Sequence, residues 1–132
     1  MSLKLILCQL ITLFFFVLGW GKMQGSGKSV PVLQQAKLKV VDKDTCHNLN
    51  YPNTGVPVTE KMICAGYGPT DRRSACYGDS GGPFVCRERL GGPWFLQGAV
   101  SWGGWDCDAA SGYTVFVRVA EFRQWIDQQL QE

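Results

Sequence analysis

Alternating and short apolar runs along the chain predict a protein built mostly of β-strands. Between Val30 and Val40, apolar side chains occupy nearly every second position, which is typical of a strand with one buried face. Apolar stretches bounded by glycine and proline predict four further strands, at residues 62–65, 83–86, 94–102 and 113–119. The glycine-rich segment 21–28 and the polar segment 48–55 predict surface loops, and residues 42–45 predict a short capped helical turn.

The C-terminal segment follows a different period. Phe122, Trp125, Ile126 and Leu130 have the i, i+3, i+4, i+8 spacing of one helix face. We therefore predict an amphipathic helix over residues 120–131 that docks through its aromatic face. Short antiparallel strands and one closing helix predict a small barrel or sandwich.

The first residues predict a targeting segment. A basic start followed by the apolar residues 5–18 is typical of a secretory signal, and this apolar run is shorter than the roughly 20 residues of a membrane-spanning helix. We predict a leader over residues 1–19, cleaved near Gly19 or Gly21. A buried strand over residues 13–18 is the alternative. The protein is expected to be secreted and extracellular, with membrane contact only through an uncleaved leader.

Composition narrows the classes of protein. A chain of 132 residues with 45% hydrophobic residues can bury one core, and its seven Phe, five Trp and four Tyr exclude intrinsic disorder. The net charge is +2 and no basic run exceeds Arg72-Arg73, so we expect no nucleic-acid partner. Six cysteines in so short a chain indicate an oxidising compartment.

The candidate chemistry lies in residues 74–83, Ser-Ala-Cys-Tyr-Gly-Asp-Ser-Gly-Gly-Pro. The glycines around Ser80 allow a turn tight enough to expose the hydroxyl and to direct neighbouring N–H groups at a common point. A nucleophile beside preformed hydrogen-bond donors is what acyl transfer requires. Because aspartate, serine and glycine are also good turn formers, an ordinary turn is the alternative for the short G-x-S-x-G pattern.

The longer motif Gly78-Asp79-Ser80-Gly81-Gly82-Pro83 resembles the nucleophile motif of the chymotrypsin/trypsin family of serine proteases. Other segments match the same family in order and spacing: Gly19-Trp20-Gly21, Met62–Gly66, Ser101-Trp102-Gly103, Val115–Val119 and Trp125-Ile126. The match corresponds to the second half of a two-barrel catalytic domain. It implies a mostly β chain with one antiparallel Greek-key β-barrel over residues 20–132 and a C-terminal α-helix.

The resemblance also implies roles for individual residues. Ser80 would be the nucleophile, and the backbone N–H groups of Gly78 and Ser80 would form the oxyanion hole. Asp79 would be the carboxylate that receives a new N-terminal ammonium after zymogen cleavage. The implied substrate pocket consists of Ser74, Tyr77, Ser101, Trp102, Gly103 and Thr114. No metal or other cofactor is implied.

The implied pocket suggests a substrate class. Ser74 would give it a neutral floor, although a solvated loop serine is the alternative, and Thr114 would narrow its back wall as in elastase-like members. The resemblance therefore implies a preference for medium to large apolar side chains. Tyr77 at the pocket rim is less usual in the family and could cover part of the site.

Two members of the family's catalytic triad have no matching motif in this chain. The general base and its orienting Asp belong to first-barrel motifs, and the only histidine, His47, follows Cys46 in a segment that resembles the family's intermediate helix. We interpret His47 as a surface histidine. Without a base, Ser80 stays a protonated alcohol and a weak nucleophile. We therefore expect an endopeptidase by family, acting on polypeptides, that is a partial chain without its N-terminal barrel and inactive alone.

Two other interpretations stay open. The chain could be a secreted non-catalytic homologue that binds peptides or a partner protease. It could also be a fragment that misfolds unless it meets a first barrel, because the exposed inter-barrel face would be a large apolar patch.

The six cysteines allow 15 pairings. The resemblance selects two bridges, Cys46–Cys64 and Cys76–Cys107. The family's partner for Cys86 would lie where this chain has Phe15, and Cys8 would leave with a cleaved leader. Cys86 is therefore expected to be an unpaired thiol, with burial as a small hydrophobic side chain as one alternative.

Overall fold

The computed structural model describes residues 14–131, which form a curled antiparallel sheet of seven strands and two α-helices. The strands are β1 Phe14–Gly19, β2 Gln34–Lys37, β3 Val40–Val41, β4 Met62–Ala65, β5 Pro83–Arg87, β6 Phe95–Trp102 and β7 Thr114–Arg118. Their order in the sheet is β2-β1-β5-β6-β7-β4-β3. The outer strands β2 and β3 are separated in sequence by only Leu38 and Lys39, so the chain passes from one edge of the sheet to the other. The predicted mostly β fold is confirmed.

Three stacked phenylalanines from different strands form the centre of the core. Phe84 of β5 lies between Phe15 of β1 and Phe116 of β7, with ring centroids 5.6 and 4.2 Å away. All three side chains are buried. Because burying a phenylalanine stabilises a fold by roughly 1.5–3 kcal/mol, β1 contributes to the core as β5 and β7 do.

Strand β1 lies within the segment that the leader prediction assigns to residues 1–19. Phe16 pairs with Lys37 of β2 on one side and with Val85 of β5 on the other. Strand β1 therefore pairs within the sheet over Phe14–Gly19, as the buried-strand alternative predicts for most of this segment. The rest of the predicted leader, residues 1–13, lies outside the described residues.

The segment predicted as a helical turn followed by a loop forms one helix, α1, over Lys43–Thr54. The Asp42 carboxylate caps its first turn by accepting hydrogen bonds from the Thr45 N–H at 2.9 Å and the Thr45 hydroxyl at 2.6 Å. These bonds lower the pKa of Asp42. Gly55, at φ 70°, ends the helix in the left-handed conformation. The loop predicted at residues 48–55 is wrong.

Two apolar segments are more exposed than their patterns predict. The second strand begins at Gln34, and Val32, within the predicted strand, is 67% exposed. The C-terminal helix, α2 Arg123–Leu130, follows a 3₁₀ turn, and its Trp125 and Leu130 are 60% and 78% exposed. The predicted docking through the aromatic face is therefore wrong for these two side chains. No helix within residues 14–131 has the length and apolar character needed to cross a bilayer.

Both disulfides implied by the resemblance are present, Cys46–Cys64 and Cys76–Cys107. The first joins α1 to β4, and the second joins the loop before Ser80 to the loop after β6. Cys86, which is buried on β5, is also disulfide-bonded, so the expectation of an unpaired thiol is wrong. That expectation assumed a cleaved leader that included β1, a strand that the barrel contains.

Candidate active site

Ser80 lies on a tight turn immediately before β5. Gly78 and Gly81 have φ angles of 94° and 81°, in the left-handed region that favours glycine. The Gly81 N–H donates to the carbonyl of Val100 on β6 at 2.8 Å, which fixes the turn to the sheet. Ser80 itself is exposed. The glycines of the motif therefore hold an accessible serine on a rigid scaffold.

Two amides of this turn have no internal acceptor. Within residues 14–131, neither the Gly78 N–H nor the Ser80 N–H donates a hydrogen bond. The Asp79 N–H between them donates to the carbonyl of Cys76 at 2.9 Å. The turn thus leaves two nearby donors for an external acceptor, such as an oxygen that gains negative charge.

The Asp79 carboxylate accepts two backbone hydrogen bonds. One comes from the Gly21 N–H at 2.8 Å and the other from the Cys76 N–H at 2.9 Å. A Cβ at Gly19 or at Gly21 would collide with this carboxylate. The Gly-Trp-Gly segment therefore has glycine at two positions because the Asp79 side chain fills the space beside them.

A cavity of about 560 Å³ lies beside Asp79. Arg73 and Asp71 form an ion pair on its wall at 2.8 Å, which lowers the pKa of the Asp71 carboxyl. Ser74 lines this cavity, and its hydroxyl donates to the carbonyl of Cys107 at 3.2 Å. Ser74, the implied pocket floor, is not among the residues that line the cavity at Ser80.

A second cavity, of about 430 Å³, opens beside Ser80. It is lined by five of the implied pocket residues, Tyr77, Ser101, Trp102, Gly103 and Thr114. Thr114 is buried, and its hydroxyl oxygen accepts a hydrogen bond from the Ala75 N–H at 3.1 Å. We call this space the Ser80 cavity.

Nine further residues, which the sequence did not assign to the pocket, also line the Ser80 cavity. Asn53 and Thr54 come from the end of α1, where a loop was predicted. Trp105 and Asp106 come from the loop after β6. Asp106 has a φ of 52°, in the left-handed region, and no motif in the sequence of this loop marked it as a cavity residue.

His47 lies on α1 and is not among the residues that line the Ser80 cavity. Its Nδ1 accepts a hydrogen bond from the Val58 N–H at 3.3 Å, and its ring stacks on Tyr51 with centroids 4.8 Å apart. These contacts hold the imidazole in the packing around α1.

Comparison with known proteins identifies the family. The family model described as Trypsin matches residues 14–126, so it begins where β1 begins. This chain belongs to the trypsin family. Similar curated proteins are transmembrane protease serine 11C of Mus musculus, 41% identical over 110 residues, and transmembrane protease serine 7 of Rattus norvegicus, 38% identical over 112 residues.

The trypsin-family match covers most of this chain but a small part of its relatives. These two alignments cover 83% and 84% of the chain, and 24% and 13% of the relatives. Transmembrane protease serine 11G of Rattus norvegicus is 37% identical over 111 residues, which are 84% of the chain and 25% of that protein. The chain therefore spans a quarter or less of the length of these relatives.

Proposed function

We propose that this chain is the nucleophile-bearing barrel of a serine endopeptidase. The observation that carries the proposal is an exposed Ser80 on a turn with two unused amides, directly beside a cavity of about 430 Å³. A polypeptide substrate would place a side chain in the Ser80 cavity and its scissile carbonyl at the hydroxyl. Buried Thr114 and half-buried Trp102 support an apolar preference for that side chain.

In the proposed reaction, Ser80 Oγ attacks the carbonyl carbon while its proton passes to a base. The carbonyl electron pair moves to the oxygen, which accepts hydrogen bonds from the Gly78 and Ser80 amides. Return of that pair breaks the C–N bond, and the amine leaves with the proton that the base took. Water then attacks the ester, with the same base, and restores the Ser80 hydroxyl.

The base would come from a first barrel, which we propose as the partner of this one. A further cavity of about 290 Å³ supports an adjoining partner, because Ser80 lines it together with apolar side chains. Two of these, Trp20 and Leu33, are 58% and 45% exposed. With no triad motif other than that of Ser80, the chain alone is proposed to be inactive.

Asp79 has a proposed role in activation. Its carboxylate is held by two backbone amides, and the cavity of about 560 Å³ beside it supports entry of a chain terminus. A new N-terminal ammonium in that cavity would pair with the carboxylate and stabilise the turn that carries Ser80.

We also propose that the protein is exported, since two disulfides between described residues favour an oxidising, extracellular compartment.

Labelling with an organofluorophosphate tests the proposal. The chain alone should react at Ser80 no faster than free serine does. Fused behind the first barrel of mouse transmembrane protease serine 11C, it should label rapidly and stoichiometrically, and a Ser80→Ala fusion should not. Rapid labelling of the isolated chain would refute its inactivity, and a folded fusion that stays unlabelled would refute the nucleophile assignment.

A non-catalytic binder of peptides or of a partner protease is the second candidate. The Ser80 cavity favours it, because a cavity of this size can hold a peptide side chain without any base. Peptide binding by a folded fusion that resists labelling would favour this candidate.

A further inference from the structure

Basic residues from three separate segments line the cavity of about 560 Å³ beside Asp79. They are Lys22 from the loop after β1, Lys37 from the end of β2, and Arg72 and Arg73 from the loop between β4 and β5. The segment 14–41, which supplies the two lysines, contains four lysines and no acidic residue. The fold therefore concentrates positive charge that is dispersed along the sequence.

Contacts at the Lys37 carbonyl hold two of these segments together. This oxygen accepts hydrogen bonds from the Tyr67 hydroxyl at 3.2 Å and from the Arg73 guanidinium at 3.3 Å. The guanidinium also lies over the Tyr67 ring, 4.6 Å from its centroid. Lys39 follows two residues later, so its Cα lies within about 7 Å of the Lys37 Cα. Its carbonyl accepts from the Gly66 N–H at 2.9 Å, which fixes the backbone at this point as well.

We call Lys22, Lys37, Lys39, Arg72 and Arg73 the basic face. Two acidic residues line the same cavity, Asp71 and Asp79. The Asp71 carboxylate binds Arg73, and the Asp79 carboxylate accepts two backbone amides. Arg72 and Lys39 belong to none of the ion pairs among residues 14–131. Five cations beside two carboxylates leave an excess of positive charge on this side of the barrel.

The basic face is accessible and concave. Lys37, Lys39, Arg72 and Arg73 are exposed, whereas Asp79 is half-buried. A bound polyanion could therefore contact these cations without reaching the Asp79 carboxylate. A flexible chain of charged groups can follow a cation-lined concavity, which the flat surface of a membrane cannot do. Sulfate groups are permanently ionised in water and pair well with guanidinium and ammonium groups.

We propose that the basic face binds a sulfated polysaccharide outside the cell. This inference rests on the proposed export of the protein, because such polymers are extracellular, but not on the role proposed for Ser80. The ligand would bridge the end of β2 and the loop between β4 and β5, so it would contact the barrel on the side of the cavity beside Asp79.

Calorimetric titration of the refolded full chain tests the proposal. The probes are a heparin octasaccharide and the same octasaccharide after removal of its sulfate groups, at about 0.15 M salt. We expect the sulfated form to bind about tenfold more tightly than the desulfated form, and the difference to shrink as salt is added. Vesicles containing phosphatidylserine test a membrane surface as the alternative source of negative charge, and they should bind more weakly than the sulfated form.

Two matched double variants locate the binding surface. Lys39→Gln with Arg72→Gln removes two charges from the basic face and should weaken binding of the sulfated form about tenfold. Lys61→Gln with Arg89→Gln removes the same two kinds of charge from exposed residues that do not line this cavity, and it should leave binding nearly unchanged. Within residues 14–131, the side chains of Lys39 and Arg72 form no hydrogen bond or ion pair, so the first variant should keep the unfolding midpoint of the unaltered chain.

Several results would overturn the proposal. These are no binding of the sulfated octasaccharide, equal binding of the two octasaccharides, an equal loss in the two double variants, or tighter binding to the vesicles. The titrations involve no bond cleavage, so failure of the labelling experiment at Ser80 is a separate result.

Discussion

The space around Asp79 explains why glycine occurs at particular positions of this chain. The carboxylate occupies the positions where Gly19 and Gly21 would carry a side chain, and the Gly21 amide donates to it. A Cβ on Gly78 would lie 3.1 Å from the Cα of Gly21, so the Ser80 turn and this segment pack backbone against backbone. The motif predicted a glycine-dependent turn at Ser80. The glycines of Gly19-Trp20-Gly21 are required only because the fold brings this segment against Asp79.

Gly21→Ala should disturb this contact. The added methyl group would overlap the Asp79 carboxylate, and we expect the free energy of unfolding to fall by about 1–3 kcal/mol. Chemical denaturation measures the effect. Gly103→Ala is the control, because its Cβ would meet atoms no closer than 3.6 Å. Equal stability of the two variants would contradict this account of Asp79.

Helix α1 illustrates what local pattern could not predict. Its polar sequence and Pro52 indicated a loop over residues 48–55, yet Pro52 lies in the last turn, where its missing N–H removes one hydrogen bond at most. The decisive residue is Asn50, which is fully buried. Its side chain donates to the Tyr113 carbonyl at 2.9 Å and accepts from the Tyr113 N–H at 2.8 Å. This partner is 63 residues away, so no local window contains it.

Strands with strong local signals were predicted well. β4, β5 and β7 occur where short apolar runs lie between turn residues, and β6 begins within one residue of its predicted start. Strand β1 was ambiguous because an apolar run of this length suits both a leader and a buried strand. Pairing with β2 and β5 decides between them, and that information is non-local.

Asn50→Ala should loosen α1 from the start of β7. Both backbone groups of Tyr113 would lose a partner in a partly buried setting, so we expect a loss of about 1–3 kcal/mol in the free energy of unfolding. Asn53→Ala, on the same helix and exposed, should change it by less than about 0.5 kcal/mol. Thermal and denaturant unfolding of the two variants make the comparison. A loss at Asn50 no larger than the loss at Asn53 would rule out this tether.

At the scale of the whole molecule, the barrel depends on a segment that its sequence associates with targeting. Val17 on β1 is buried at 5% exposure and belongs to the same core cluster as Phe15 and Phe84. Cleavage at Gly19 or Gly21 would remove these β1 side chains from a domain whose total stability is expected to be about 5–15 kcal/mol. If a leader is cleaved, the cut should therefore lie before Phe14.

Val17→Asp in the full chain tests this requirement. An unpaired carboxylate in the core should lower the free energy of unfolding by at least about 3 kcal/mol. Because a single barrel is only marginally stable, we expect the cooperative unfolding transition to be lost. Val32→Asp adds the same charge at a side chain that is 67% exposed, and it should leave the unfolding midpoint nearly unchanged. Refolded protein is used, so that export does not influence the result. If the Val17→Asp chain unfolds at the same midpoint as the Val32→Asp chain, the barrel forms without β1. In that case, mass spectrometry of the secreted protein should find its N-terminus beyond residue 19.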